Sequence, residues 1–293
     1  MSARSDSTQF AGKVATLWRY PVKSMLGEEL NAAEVTERGL LGDRAYALLD
    51  TAEGKIASAK NPRKWPQLFD FRAAFVESPR PGEPLPLVRI TLPSGRVVTS
   101  EHGDLHQTLS RALNREVTFA AAEHSQYSQR AADGVSSPTP SRATAEAYWP
   151  DMEGLAHRDA VTVFALPEGT FFDCAVVHVL TTATLERLRQ LYPAGRFEVR
   201  RFRPNIVLET DAGVNDFVEH AWIGRTLTIG DKVRLSITRP CSRCVMTTLP
   251  QADLPRDHGI LRTAAQHNKA HVGVYAAVVH GGTIRRGDAA WLD

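Results

Sequence analysis

The segment Gly224-Arg-Thr-Leu-Thr-Ile-Gly-Asp-Lys-Val-Arg-Leu235 predicts two short β-strands joined by a Gly-Asp turn. A similar segment, Gly282-Thr-Ile-Arg-Arg-Gly-Asp-Ala-Ala-Trp-Leu292, lies near the end of the chain, and Gly39-Leu-Leu-Gly-Asp43 is a looser third case. Glycine takes a positive φ at a tight bend without steric cost, so repeated Gly-Asp corners between short strands suit a small β-barrel. These segments predict a mainly β protein.

The rest of the chain predicts the same class, mainly β (α+β) with a few short helices. Pro93-Ser-Gly95 predicts a hairpin turn between residues 85–92 and 96–99. Leucines at helical spacing predict short helices at residues 103–114 and 182–192. Apolar or alternating runs predict further strands at residues 14–20, 28–36, 45–49, 160–165, 176–180, 205–209 and 233–238.

The domain organisation follows from length and from one change of composition. A chain of 293 residues suits two modest domains. The stretch Gly134-Val-Ser-Ser-Pro-Thr-Pro-Ser141 is poor in apolar residues and predicts a linker or mobile loop. We therefore expect a first β-rich domain at residues 12–122, a linker or mobile loop at residues 123–153, and a second β-rich domain at residues 154–293.

Composition excludes several classes of protein. The 35 Lys and Arg residues nearly balance the 33 Asp and Glu residues, which argues against a nucleic-acid binder. No run approaches the ~20 apolar residues of a membrane-spanning helix, and the N-terminus lacks a signal-peptide pattern. Three cysteines in such a chain do not form a disulfide framework. We expect a cytoplasmic protein that binds neither nucleic acid nor membrane.

The segment Pro240-Cys-Ser-Arg-Cys244-Val-Met carries the most specific chemistry. Arg243 beside Cys244 favours the thiolate, the form that binds a soft metal. Packed structural cysteines are an alternative, and so is a zinc site formed by Cys241, Cys244 and the downstream histidines His267 and His271. A thioredoxin-like redox pair fits less well, because the motif does not open a helix after a parallel strand.

Two further clusters could bind an anion. Arg200-Arg-Phe-Arg203-Pro-Asn205 places three arginines and an amide just before a strand, where guanidinium groups can clamp a phosphate or a carboxylate. Tyr20-Pro-Val-Lys23-Ser24, together with Gly42-Asp-Arg44, supplies cations and a hydroxyl after another strand. Thr181 and Thr182 precede the second predicted helix, where one of them could be the N-cap. Solvated surface charge remains the alternative for each cluster.

These motifs, in this order, resemble the MOSC family (molybdenum cofactor sulfurase C-terminal domain). The similarity runs from Val14 to Leu292 and is closest to the amidoxime-reducing proteins, which carry a MOSC N-terminal β-barrel domain before the MOSC domain. The resemblance implies an N-terminal MOSC-type β-barrel domain, a MOSC β-barrel domain and a bound molybdenum cofactor (molybdopterin). It implies that Cys244 ligates the molybdenum and is the catalytic residue. It assigns cofactor contacts to the matching positions Lys23, Ser24, Arg44, Thr181, Thr182, Arg203, Asn205 and Arg243.

The activity that the resemblance implies is a molybdenum-dependent oxidoreductase that reduces small N-hydroxylated or N-oxide compounds. Its electrons would come from an external donor of the flavin reductase, ferredoxin or cytochrome type. Two alternatives remain open from the residues. One is a cofactor or sulfur carrier without turnover of its own, and the other is a zinc-stabilised binding module.

Overall fold

A computed structural model describes residues 8–122, 137–138, 143–153, 155, 158–168 and 170–293 of the chain. Most of the predicted linker at residues 123–153 lies outside these ranges. The protein is mostly β, with 39% strand and 18% helix, as the sequence predicts. Among the described residues, no helix has the length and apolar character needed to cross a membrane.

The secondary structure consists of many short strands and a few helices. The strands are β1 Gln9–Arg19, β2 Glu28–Leu30, β3 Ala32–Thr36, β4 Gly39–Leu40, β5 Tyr46–Asp50, β6 Lys55–Ile56, β7 Arg72–Phe75, β8 Val88–Thr91, β9 Val97–Thr99, β10 Val117–Ala121, β11 Ser137–Pro138, β12 Thr144–Trp149, β13 Ala160–Ala165, β14 Val177–Thr181, β15 Ile206–Glu209, β16 Thr226–Ile229, β17 Val233–Ser242, β18 His271–His280, β19 Gly282–Arg285 and β20 Ala289–Leu292. The α-helices are α1 Leu105–Leu113, α2 Thr182–Leu191, α3 Val199–Phe202 and α4 His258–Asn268, and 3-10 turns lie at Leu68–Asp70, Val218–Trp222 and Val245–Thr248.

Seven strands close into a barrel. Their order is β15-β14-β18-β17-β16-β20-β1, and β1 pairs back onto β15 to complete the ring, with β2 added beside β1. The two segments with Gly-Asp corners both contribute: β16 and β17 form an antiparallel hairpin, and β20 lies between β16 and β1. Closure removes the exposed edges that an open sheet would present.

The strand that closes the barrel comes from the N-terminal end of the chain. β1 is antiparallel to both β15 and β20, with Leu17 opposite Ile206. Gly12 permits the close approach, because a Cβ there would lie only 2.3 Å from the carbonyl oxygen of Glu209. The barrel therefore uses residues from both sides of the predicted linker. The domain ranges given above remain a prediction.

The barrel interior is a single apolar core formed by alternate residues of its strands. Leu17 is fully buried there and packs in one cluster with residues of β15, β16 and β18. Alternation along β16, with Leu227 and Ile229 buried between less buried threonines, shows how the period-two pattern selects the inner face.

A second sheet and a small antiparallel sheet form the other half of the protein. The order of the second sheet is β11-β10-β5-β6-β12-β13, and β7, β8 and β9 form the small sheet, including the hairpin predicted from Pro93-Ser-Gly95. The apolar cluster beneath them also contains Val245, Met246 and Leu249, and Cys244 packs against it. The segment after β17 therefore inserts between the two halves of the protein.

The structure contains elements that the sequence patterns did not indicate. The two histidines considered for a zinc site lie in α4 and at the start of β18. β12 lies within the range predicted as linker or mobile loop. The region predicted as one strand at residues 28–36 is divided into β2 and β3, which belong to different sheets. Tertiary pairing decides such short strands more than local propensity does.

Replacing Leu17 by Ala should destabilise the protein by about 2–5 kcal/mol, because it leaves a cavity inside the closed barrel. Chemical denaturation measures this change in the free energy of unfolding. Lys13→Ala, at an exposed position of the same strand, is the control and should stay within about 0.5 kcal/mol of the unmodified protein. Equal effects of the two substitutions would show that β1 does not support the barrel core.

Candidate functional site

A cavity lies where the segment after β17 meets the N-terminal half of the protein. It opens to solvent and encloses about 90 Å³. Seven of the nine residues predicted to bind the cofactor or metal line it. The lining residues are Lys23, Ser24, Arg44, Lys60, Phe171, Phe172, Asp173, Cys174, Ala175, His178, Phe202, Arg203, Asn205, Ser242, Arg243, Cys244, Met246 and Tyr275.

Three of the predicted site residues have unusual backbone conformations. Ser24, Arg44 and Arg203 have φ values of 65°, 48° and 53°, in the left-handed region that non-glycine residues rarely adopt. Such conformations cost free energy and persist only where surrounding structure imposes them, so they concentrate at functional sites. Each of the three arises at a sharp turn that directs its side chain to the cavity wall.

Cys244 is one of the two thiols that line the cavity. It is partly exposed and lies between the end of β17 and the 3-10 turn at Val245–Thr248. Cys241 is fully buried, does not line the cavity, and accepts a hydrogen bond from Arg243. Cys174 is exposed and lines the same cavity. The structure therefore separates the roles of the Cys-x-x-Cys pair: only Cys244 of the two faces the cavity.

Arg243 brings an unused donor to the site. Its Nη2 donates to the carbonyl oxygen of Phe202 at 2.7 Å, while its Nε is buried and has no hydrogen-bond partner in the described part of the chain. A buried donor without a partner is costly, and a polar ligand in the cavity would satisfy it. This orphaned atom fits a bound cofactor rich in hydrogen-bond acceptors.

The guanidinium groups of Arg44 and Arg203 meet at the ring of Tyr20. Their central carbons lie 4.5 Å and 4.1 Å from the ring centre. Arg203 donates from Nη1 to the carbonyl oxygen of Met25 at 2.7 Å, and Arg44 pairs with the carboxylate of Asp43. Burial lowers the pKa of Arg203 to about 10, and the charge of Arg44 adds to this effect. An anion in the cavity would relieve the repulsion between these cations.

Asp43 connects the two arginine-bearing segments. Its Oδ1 accepts from the backbone N–H of Tyr20 at 2.7 Å, and its Oδ2 accepts from Nδ2 of Asn205 at 2.8 Å. Asn205 also accepts from the backbone N–H of His178 at 3.1 Å and donates to Trp18. Both ends of the Asn205 amide are therefore bonded to protein, so this residue supports the cavity wall through its protein partners.

Lys23 is buried in an ion pair that the sequence did not predict. Its Nζ donates to the carbonyl oxygen of Phe171 at 2.9 Å and to Asp173. Asp173 also pairs with Lys60 at 3.1 Å. Burial lowers the pKa of Lys23, and burial alone would raise the pKa of Asp173, but the charges of Lys23 and Lys60 bring the pKa of Asp173 well below its usual range.

Lys60 contributes a further cation near the thiols. Burial lowers its pKa, but the ion pair with Asp173 opposes that effect and the pKa lies above its ordinary value. The lining residues thus include the cations of Lys23, Arg44, Lys60, Arg203 and Arg243 against the single carboxylate of Asp173. A cavity of this composition favours an anionic ligand.

Ser24 completes the predicted cluster on the N-terminal side. Its hydroxyl oxygen accepts from the backbone N–H of Ala59 at 3.1 Å, which leaves the hydroxyl hydrogen able to donate. The same contact brings Ala59, and with it the neighbouring Lys60, to the cavity. Lys60, Asp173 and Tyr275 were not found from the sequence, because none of them belongs to a local motif and long-range pairing brings each to the site.

Thr181 and Thr182 do not line the cavity. Thr181 caps α2 by accepting from the backbone N–H of Thr184 at 3.2 Å and donates to the buried carboxylate of Glu219 at 2.7 Å. Thr182 contacts Thr210. Thr181 was predicted both as a possible helix cap and as a cofactor contact, and the structure confirms the cap while bringing neither threonine to the cavity.

The zinc alternative has no ligand set. No group of three or more His, Cys, Asp or Glu side chains is arranged to hold a metal ion in the part of the chain that the structure describes, which includes Cys241, Cys244, His267 and His271. Cys241 is engaged with Arg243, and His267 is exposed on α4. The Cys-x-x-Cys spacing therefore does not form half of a zinc site here.

The chain is similar to known proteins over most of its length. The family model described as MOSC domain matches residues 167–290, and the model described as MOSC N-terminal beta barrel domain matches residues 11–137. The mitochondrial amidoxime-reducing component 1 of Mus musculus is 27% identical over 99% of this chain and 84% of its own length. The mitochondrial amidoxime reducing component 2 of Rattus norvegicus is 25% identical over 84% of this chain and 69% of its own. The solved structure of the YUAD protein from Bacillus subtilis aligns with a TM-score of 0.46 and 9% identity over 98% of this chain and 97% of that chain.

The buried histidine of the cavity wall gives a prediction for acid stability. His178 is 5% exposed, its Nε2 donates to the carbonyl oxygen of Val272 at 3.1 Å, and Gly273 leaves room for its ring, since a Cβ there would lie 2.3 Å from Nε2. Burial lowers the pKa of His178 to about 3, and the charge of Arg243 adds to this. The native state therefore keeps the imidazole neutral.

Because the pKa of His178 is lower in the folded state than the ~6.5 of an unfolded chain, its contribution to stability is full above pH 6.5. It should be lost as the pH falls from about 6.5 to about 3, by up to about 1.4 kcal/mol per pH unit. In His178→Asn, the free energy of unfolding should fall less steeply with decreasing pH across this range than it does in the unmodified protein. His267→Asn, at an exposed position, should keep the slope of the unmodified protein. Identical slopes in all three proteins would contradict the neutral buried state of His178.

Proposed function

Because the chain belongs to the MOSC family, with a MOSC N-terminal beta barrel domain before the MOSC domain, we propose that it binds a molybdenum cofactor and acts as an oxidoreductase on N-hydroxylated or N-oxide compounds. One observation carries this proposal: a partly exposed thiol, Cys244, shares one cavity with five cationic side chains and an orphaned buried donor. A soft metal needs a thiolate, and a pterin phosphate needs cations.

The residues of the cavity would hold the cofactor as follows. Cys244 would be the protein's ligand to molybdenum. Arg44 and Arg203 would bind the phosphate end together with Lys23, whose Nζ already makes two bonds to protein. Arg243 would give its free Nε to the cofactor, and the Ser24 hydroxyl would donate a further hydrogen bond. Thr181 and Thr182 are not part of this proposed set.

When bound, the cofactor would supply a two-electron redox centre that accepts an oxygen atom from substrate. For an amidoxime the overall change is the cleavage of the N–O bond with two electrons and two protons, which gives an amidine and one water. The protein contributes a cavity whose fixed cations need no reorganisation, and these would hold the acceptor atoms of cofactor and substrate. Neutral His178 would keep its part of the wall free of further charge.

The electrons would come from a separate donor of the flavin reductase, ferredoxin or cytochrome type. The related proteins are named for amidoxime reduction, and we extend that substrate class to this chain as part of the proposal. Those relatives are also named as mitochondrial, whereas the cytoplasmic location remains our proposal from sequence.

A second candidate function is supported by the second thiol of the cavity. Cys174 is exposed and lines the same wall as Cys244 and Lys60. A protein that carries sulfur or delivers cofactor could use two thiols in one cavity without turning over a substrate. Reduction of benzamidoxime by a chemical electron donor separates the two candidates, because only the oxidoreductase would release benzamidine.

Cys244→Ala should remove molybdenum from protein made in a cofactor-competent host and reduce benzamidoxime turnover at least about a hundredfold, the loss typical when a group essential to the reaction is deleted. Elemental analysis and amidine release measure the two effects. Cys174→Ala is the matched control, because it removes the other thiol of the same cavity, and it should retain the metal. Metal content unchanged in Cys244→Ala would refute the ligand assignment.

Lys23→Ala and Arg44→Ala should each lower cofactor content by about tenfold, since each removes a cation from the proposed phosphate site. The fluorescence of the oxidised pterin, measured per mole of purified protein, gives the occupancy. Arg63→Ala removes an exposed arginine outside the cavity and should leave occupancy unchanged. Full occupancy in both cavity variants would refute the phosphate clamp while leaving the metal ligand open to its own test.

A further inference from the structure

We propose that Tyr20 is a positioning residue: its ring holds the guanidinium groups of Arg44 and Arg203 together as a binding pair for a phosphate dianion. The inference rests on the proposed function, in which that dianion is the phosphate of the cofactor. It adds a residue that does not itself line the cavity but determines where two cavity-lining cations lie.

The ring of Tyr20 contacts both cations. The guanidinium carbons of Arg203 and Arg44 lie 4.1 Å and 4.5 Å from the centre of the Tyr20 ring. A cation over an aromatic face is attracted by the ring quadrupole, and the attraction is stronger where water is excluded. Tyr20 is 2% exposed, so both contacts are made away from solvent.

Hydrogen bonds at the backbone and at the hydroxyl hold Tyr20 in place. The backbone N–H of Tyr20 donates to Oδ1 of Asp43 at 2.7 Å, and the hydroxyl donates to the carbonyl oxygen of Pro204 at 3.2 Å. Pro204 directly follows Arg203 in the chain, so the hydroxyl ties the ring to the segment that carries one of the two cations. Tyr20 thereby links the segment that carries Arg203 to the segment that carries Arg44.

The charges of Arg44 and Arg203 repel each other in this buried place. The carboxylate of Asp43 pairs directly with Arg44, and the charges of Asp43 and Asp173 act on Arg203. Within the described residues, the guanidinium of Arg203 makes one hydrogen bond to protein, to the carbonyl oxygen of Met25, although a guanidinium has five N–H donors. The pair therefore keeps a net positive charge and unused donors, the combination that a tetrahedral dianion requires.

The ring makes the contacts with the two cations, and the hydroxyl only supports the orientation of the ring. Phenylalanine at position 20 would keep the aromatic ring in contact with both guanidinium groups and lose the bond to Pro204. Leucine would keep an apolar side chain and lose the face. The two substitutions therefore distinguish positioning of the cations from general packing.

The test uses the full-length chain from a host that cannot make molybdopterin, titrated with inorganic phosphate in a calorimeter. Tyr20→Phe should bind phosphate within about twofold of the unmodified protein. Tyr20→Leu should bind it about tenfold more weakly, the factor that corresponds to about 1.4 kcal/mol. The same variants made in a cofactor-competent host should show retained pterin for Tyr20→Phe and depleted pterin for Tyr20→Leu.

Phe119→Leu is the control for simple loss of stability, because it removes a buried aromatic ring of the N-terminal half that does not line the cavity. It should lower the melting temperature without changing the phosphate dissociation constant. Equal phosphate affinity in Tyr20→Leu and the unmodified protein, equal losses in the Phe and Leu variants, or no phosphate binding by the unmodified protein would each overturn the proposal. Absence of pterin from the unmodified protein would instead refute the proposed function, with the phosphate comparison still valid.

Discussion

The carboxylate of Asp43 is the interaction on which the cavity depends. It accepts hydrogen bonds from the Tyr20 backbone and the Asn205 amide and pairs with Arg44, so one buried group joins the N-terminal and C-terminal parts of the wall. Burying a carboxylate is costly unless its oxygens are satisfied, and here three donors satisfy it. Removing it would leave Arg44 with no opposing charge at the point where Arg203 is also buried, so the effect would extend well beyond one ion pair.

Most of the site residues that could be predicted from the sequence belong to short local motifs. Lys23, Ser24, Arg44, Arg203 and Cys244 lie in short segments where the chain turns sharply, and such turns leave recognisable residues at fixed spacings. Lys60 and Asp173 were missed because their pairing joins segments more than a hundred residues apart, for which a single sequence contains no signal. Thr181 was assigned to the cofactor by its position before a helix, yet capping and the buried Glu219 account for both of its hydrogen bonds.

The fold shows the same division between local and long-range information. The Gly-Asp corners predicted short strands and a barrel, and the hairpin of β16 and β17 is present. The closing partner of that barrel could not be read from periodicity, because β1 looks like any other alternating strand. Charge behaves similarly: a net charge of +2 for the whole chain conceals a cavity with five cations and one carboxylate. The charge of one cavity depends on which residues the fold brings together, and the net charge of the whole chain does not reveal it.

The pairing of β1 with β20 has a consequence for how the protein is made. Gln9 lies opposite Leu292, so two strands that are far apart along the chain must meet before the ring is complete. Contacts of such high sequence separation form late and make folding slow. The chain loses loop-closure entropy before these contacts can stabilise it. On a ribosome, the barrel therefore stays open until β20 has emerged. Arg243 and Cys244 directly follow β17 of this barrel, so the cavity wall that they form depends on a strand that closes only after β20 has been made.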